Sequence, residues 1–181
     1  MSGFSVRAII GAAFWRGFAE DPNPGFAGAV LLCGGALVTV FLMQAFGLEP
    51  CPLCWLQRLA VLQVLLFGLL GLLSTGKAWV WTGWWGAVLG VLIGAALALR
   101  HLWLQQLPAD EVPSCLPDVG WLLETLSPLE MIWAIIAADG DCAQIDLSIL
   151  GVSIPGMMLL LCLACAASLG CSVRALALRT A

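Results

Sequence analysis

Cysteine is the residue type that gives this sequence its chemistry. The chain has eight cysteines in 181 residues. Four of them fall in two Cys-x-x-Cys arrangements, Cys51-Pro-Leu-Cys54 and Cys162-Leu-Ala-Cys165. Cys115 lies in Pro-Ser-Cys-Leu-Pro, Cys142 in Gly-Asp-Cys-Ala, and Cys33 and Cys171 in apolar surroundings. Thiols so spaced can close disulfides, exchange them with a partner, or hold a soft metal. Compartment and position along the fold decide among these, so the elements that carry the thiols come next.

Hydrophobic residues make up 62% of the chain and Asp, Glu, Lys and Arg only 10%. Soluble domains carry about 25% charged residues, so this chain cannot dress an aqueous surface. Seven basic residues and a net charge of −4 supply no footprint for nucleic acid. Four stretches lack any charge: Asn23 to Leu48, Leu59 to Gly76, Ala78 to Leu99, and Leu147 to Val173. Each can cross a hydrocarbon layer of about 30 Å, which takes about 20 helical residues. No strand alternation accompanies them, so helices rather than a barrel satisfy the backbone in lipid. The expected fold is an all-α membrane protein, a four-transmembrane-helix bundle with a long periplasmic loop carrying short surface helices. Residues 1–181 form a single membrane domain, with spans at about 26–47, 56–75, 79–99 and 154–173. Loops 48–55 and 100–153 face outward. Trp79, Trp81, Trp84 and Trp85 read as an interfacial aromatic belt. The first apolar run begins too late for a cleavable signal peptide, and residues 1–23 receive no assignment.

Basic residues orient the bundle. Arg7, Arg16, Lys77, Arg174 and Arg179 fall on one side of a four-helix topology, which the positive-inside rule makes cytoplasmic. Arg58 and Arg100 sit at the opposite ends, either snorkelling to headgroups or placed for a ligand. Eight of the eleven acids lie between Leu102 and Ser153, in the long outward segment. Within it, Trp121 to Ile136 is apolar enough to lie on the membrane surface, with Leu122, Leu126, Leu129 and Trp133 roughly on one face. Pro128 divides it into two short helices.

That topology sorts the thiols. Cys51 and Cys54 share the outer face with Cys115 and Cys142, while Cys33, Cys162, Cys165 and Cys171 fall within or at the end of spans. A structural zinc on the outer four is disfavoured by an oxidising compartment, uneven spacing and the absence of a neighbouring histidine in the sequence. Two inert disulfides would make the chain a membrane scaffold or transporter with stapled loops. Against that stands Cys54 at the amino end of the second span, where a helix end attracts negative charge, with Arg58 one turn further on the same face. Cys162 and Cys165 share a helix face but are poorly placed to bridge in an intact helix, and read as packing residues. A redox pair at the membrane must pass its electrons on, and a lipid-soluble quinone fits. Its head would meet Cys54, Arg58 and the only histidine, His101.

Together these residues resemble the bacterial disulfide bond formation protein B family, quinone-dependent thiol oxidases of the inner membrane. The matches are Cys51-Pro-Leu-Cys-Trp-Leu-Gln-Arg58, Arg100-His101 with Leu104-Gln105, Cys115, Gly140-Asp-Cys-Ala143, and Gly151 with Pro155, over roughly Pro24 to Val173. The resemblance implies that Cys115 and Cys142 receive electrons from a periplasmic thioredoxin-like disulfide oxidase, protein A of the system. Cys115 would form the mixed disulfide, Cys142 would exchange with Cys51, and Cys54 would reduce ubiquinone or menaquinone from the membrane pool. Arg58 and His101 are implied as quinone neighbours, and no metal is expected. Met157, in a Gly-Met-Met run, stands where many members carry an aromatic residue, which bears on the shape of the quinone pocket. A vitamin K epoxide reductase-like protein is a related alternative. It would place its Cys-x-x-Cys at the outward end of a late helix, whereas Cys162 and Cys165 lie midway along the last span.

Overall fold

A computed structural model describes residues 23–47, 50–108, 124–137, 148–149 and 151–178. Four long apolar helices dominate: α1 (Asn23–Ala45), α2 (Pro52–Leu73), α3 (Lys77–Leu104) and α5 (Ile154–Leu178). All four are long and apolar enough to cross a membrane. A short helix, α4 (Pro128–Ala137), and a two-stranded hairpin, β1 (Ser148–Ile149) with β2 (Val152–Ser153), complete the described elements.

The helix starts follow local rules. Pro52 and Pro155 occupy first-turn positions, where a missing N–H leaves no bond unmade. The hairpin reverses at Gly151, whose φ of +80° glycine adopts without penalty. Ser127 opens α4 by donating its N–H and hydroxyl to the Glu130 carboxylate, at 3.0 and 2.7 Å. These two bonds hold the exposed Glu130 carboxyl below its ordinary value, because they favour its charged form.

In the bundle α1 packs on α2 and α5, and α3 packs on α2 and α5, so the four spans close a ring. The α2–α3 interface is the most extensive. It depends on glycine: a Cβ on Gly83 would lie 2.6 Å from the backbone nitrogen of Gly71. Such close approach is how helices associate in lipid, where water cannot drive them together. Gln63 on α2 donates to the Gly86 carbonyl at 3.1 Å, and Trp84 Nε1 on α3 donates to the Leu169 carbonyl of α5 at 3.0 Å. Thr39 and Thr82 return their hydroxyls to carbonyls four residues back. Trp84 meets Trp81 and Trp85 edge-to-face; Trp79 and Trp85 are exposed, whereas Trp81 and Trp84, two of the four read as a belt, pack partly buried against the core.

Two apolar clusters divide the interior. The larger fills the bundle with Phe26, Cys33, Val64, Val91, Cys165 and Leu169 among others. The smaller joins Leu53 at the start of α2, Leu104 at the end of α3 and Ile135 of α4. Helix α4 therefore docks on the outward ends of α2 and α3. Its Leu129 and Trp133 remain exposed, so the helix offers one apolar side to the bundle and a second outward. Leu122, grouped with them in the sequence reading, lies outside the described residues.

Candidate functional site

The site is built on the first turn of α2. Cys51 is the N-cap residue in extended conformation (φ −63°, ψ 162°), and its Sγ accepts the Cys54 N–H at 3.4 Å. The same geometry brings Cys51 Sγ and Cys54 Sγ to 2.9 Å. Proline at the next position fixes the entry angle, so two thiols three residues apart converge at a helix end. Both are half-buried.

Three further polar side chains gather round this pair. His101, on the last turn of α3, is only 3% exposed, and its ring lies with Cys51 and Cys54 so that the three ligand-type atoms fall within 4.8 Å of one another. Gln57, one turn into α2 from Cys54 and 4% exposed, places Nε2 3.5 Å from His101 Nδ1. Arg58 turns the other way and crosses to α1. It donates to Gln44 Oε1 at 2.6 Å and reaches the Val40 carbonyl at 3.5 Å. Its guanidinium stacks over Phe41 and Trp55, at 5.3 and 5.1 Å from the ring centroids. Delocalised charge against two aromatic faces is how an arginine stays inside a membrane protein.

Beside the thiols lies a cavity of about 290 Å³ bounded by α1, α2 and the start of α5. Cys51, Cys54, Gln57 and Arg58 line one part of it; the rest is apolar, with Leu37, Val40, Val61, Met157 and Leu161. Size and lining match a small-molecule site in which a few polar groups orient an apolar ligand. Met157 forms part of this wall beside Met158, so the wall there is thioether rather than aromatic.

Arg100 has a different task. Its Nε and Nη2 donate to the Ile136 carbonyl at the end of α4, at 3.3 and 3.2 Å, and its guanidinium lies over Trp103 at 4.6 Å. A cation at a helix carboxyl end suits the helix dipole, so Arg100 fastens α4 to α3. It is not among the residues that line the cavity. Helix α3 carries it because the helix runs a turn past the uncharged stretch, to Leu104.

Of the six residues singled out in the sequence, the structure gathers Cys51, Cys54 and His101, and sets Arg58 on the cavity wall. Cys115 and Cys142 lie outside the described residues. The sequence reading gave no role to Gln57 or to Gln44. Both are uncharged polar residues in apolar helices, and intramembrane polarity is the signal that marks them. The histidine that seemed to be missing beside the thiols is supplied by a different helix.

Comparison with known proteins gives one answer. A family model described as "Disulfide bond formation protein DsbB" matches residues 23–171. The chain is 45% identical over 129 residues to the disulfide bond formation protein B of Marinobacter nauticus, covering 70% of this chain and 76% of that one. The Saccharophagus degradans protein of that name is 38% identical, over 72% of this chain and 78% of its own. That of Psychrobacter cryohalolentis is 39% identical, over 71% and 74%. No solved structure matches the chain. With a family model spanning most of its length and relatives that align over about 70% of it, the chain belongs to the disulfide bond formation protein B family.

Proposed function

We propose that Cys51 and Cys54 are the pair through which this protein hands electrons to quinone, and that Cys115 and Cys142 relay electrons to them. As a family member the protein is a quinone-dependent dithiol oxidase of the bacterial inner membrane. It reoxidises a periplasmic thioredoxin-like oxidase and so sustains disulfide formation in exported proteins. Both termini are cytoplasmic and the redox loops periplasmic.

One observation carries the assignment: the 2.9 Å sulfur pair opens directly onto a cavity that has both an apolar wall and polar groups. A quinone fits this cavity, since an isoprenoid tail suits Leu37, Val61 and Leu161 while ring oxygens need the donors that Gln57 and Arg58 present. When bound, the quinone supplies a two-electron, two-proton acceptor. The chain's own residues do the rest. Cys51 and Cys54 lose one proton each and two electrons together as their disulfide closes. Arg58, pinned by Gln44 and Phe41, holds a fixed positive charge at the cavity wall. Gln57 and His101 form a polar contact beside the sulfurs where protons must leave. A partner thiolate would attack the Cys115–Cys142 disulfide at Cys115, and the partner's second thiol would resolve that mixed disulfide and leave Cys115 and Cys142 reduced. Cys142 thiolate would then attack the Cys51–Cys54 disulfide at Cys51, and Cys115 would resolve it, so that Cys51 and Cys54 regain the dithiol.

The test is quinone reduction, followed by absorbance, with a reduced periplasmic thioredoxin-like dithiol as donor. Wild type should turn over, and Cys54→Ser should lose turnover while keeping its helix content. Equal turnover in both proteins would remove Cys54 from the route.

A further inference from the structure

We propose that the reduced Cys51–Cys54 pair and His101 form a binding site for a thiophilic metal cation of the zinc class, present only while the pair is reduced. Two thiol sulfurs and an imidazole, all within 4.8 Å, are the donor set that zinc takes in Cys2His sites. Metal–sulfur bonds of about 2.3 Å and metal–nitrogen bonds of about 2.0–2.1 Å put tetrahedral donor atoms roughly 3.5–3.8 Å apart. The sulfurs, at 2.9 Å, need to open by under about 1 Å, and the widest pair to close by about as much. Side-chain torsions of a half-buried helix cap and one ring can supply such movements.

Three features favour occupation. Pro52 and the N-cap conformation of Cys51 hold the two sulfurs on one side before any metal arrives. His101 is buried at the end of α3, so its ring is already fixed toward the pair. Both cysteines also line the cavity, which leaves room there for a water as fourth ligand. Binding forms two metal–thiolate bonds and one metal–imidazole bond, and releases the two thiol protons to solvent. No electrons move. Closing the Cys51–Cys54 disulfide removes both thiolates, so the site disappears on oxidation. A metal held there occupies the sulfurs that must form that disulfide, and therefore halts the protein in its electron-loaded state. This regulatory consequence rests on the redox role proposed above; the binding itself does not.

The experiment is an anaerobic titration of the reduced, full-length protein in detergent with Co2+, read by absorption. The expected result is the band pattern of tetrahedral cobalt with thiolate charge transfer, at one equivalent and displaced by Zn2+. His101→Asn should weaken binding by about 10-fold or more, a typical loss for a disturbed metal site. The spectrum should persist in a Cys115→Ser/Cys142→Ser double variant and be absent once the Cys51–Cys54 disulfide is closed. The proposal fails if no such spectrum forms, if it survives oxidation, if His101→Asn binds as tightly as wild type, or if the double variant loses it. A Cys33→Ala/Cys165→Ala variant should keep the spectrum, which with the oxidised and Cys115→Ser/Cys142→Ser arms decides the location even if His101→Asn does not fold; loss of the spectrum there would overturn the assignment. Turnover in metal-free buffer separately tests the proposed function, so the two failures are distinguishable.

Discussion

The molecule contains two Cys-x-x-Cys sequences in two different settings. Cys51 and Cys54 straddle the start of α2, with Cys51 outside the helix as its cap and the sulfurs 2.9 Å apart. Cys162 and Cys165 lie within α5, both buried, and Cys165 faces not Cys162 but Cys33 of α1, at 3.6 Å. Around the first pair stand Gln57, Arg58, His101 and a ligand-sized cavity. Around the second stand Val64, Val91 and Leu161, with a void of only about 10 Å³. Spacing is identical, and surroundings differ in every respect that governs thiol chemistry. A helix interior separates residues three apart too rigidly for easy bridging, whereas a cap residue is free to turn inward. The motif thus has geometry open to disulfide chemistry at a helix end and serves packing inside one, in keeping with the proposed route.

The largest effect that separates the two settings is on turnover. Cys54→Ser should lower it by about 10⁴-fold or more, as loss of a reacting nucleophile does. The Cys162→Ala/Cys165→Ala variant should turn over near the wild-type rate. A comparable loss in the second variant would break the comparison. Stability should respond in the opposite sense. Cys165→Leu overfills a site with almost no spare volume and should cost about 1–3 kcal/mol, measured by unfolding in mixed detergent micelles. The half-buried Cys54 should tolerate alanine better.

Arg58→Lys sharpens the account of the first setting. Lysine keeps the charge but cannot reach Gln44 and Val40 while stacking on Phe41 and Trp55, so about 1 kcal/mol of anchoring is lost. The expected signature is a raised KM for quinone with a smaller change in kcat. Arg100→Ala should act on α4 alone, speeding amide hydrogen exchange from Pro128 to Ala137 while quinone KM stays put. The smallest effect belongs to Cys171→Ser: its side chain is exposed on α5, and neither turnover nor stability should move measurably.

The sequence made part of this legible. Uncharged runs located four helices, because charge is costly in hydrocarbon wherever on a helix it sits. Roles for Cys54, Arg58 and His101 were suggested by convergence at the outward helix ends, and that of Cys51 by the family resemblance. Rotation about each helix axis was not legible. A membrane helix is apolar all round, so no polar stripe reveals that Cys165 faces Cys33 or that Arg58 turns toward Gln44. Contact across helices was equally hidden: Gln57 meets His101 where α2 and α3 run close together, and a Cβ on Gly90 would lie 3.2 Å from the Ala60 carbonyl oxygen. Arg100 was ambiguous because its partner is a backbone carbonyl, and carbonyls leave no trace in a list of side chains.

On the proposed route, the capping sulfur of Cys51 makes the electron count of the protein readable without a chromophore. As a thiol sulfur it accepts the Cys54 amide; drawn into a disulfide, it becomes a poorer acceptor and that amide loses its partner. The proton resonance of one backbone N–H should therefore move each time the pair is loaded or emptied. A single nitrogen-15 label at Cys54 turns the end of α2 into an internal redox gauge, able to follow turnover in a membrane where colour changes of the quinone pool are averaged over every enzyme present.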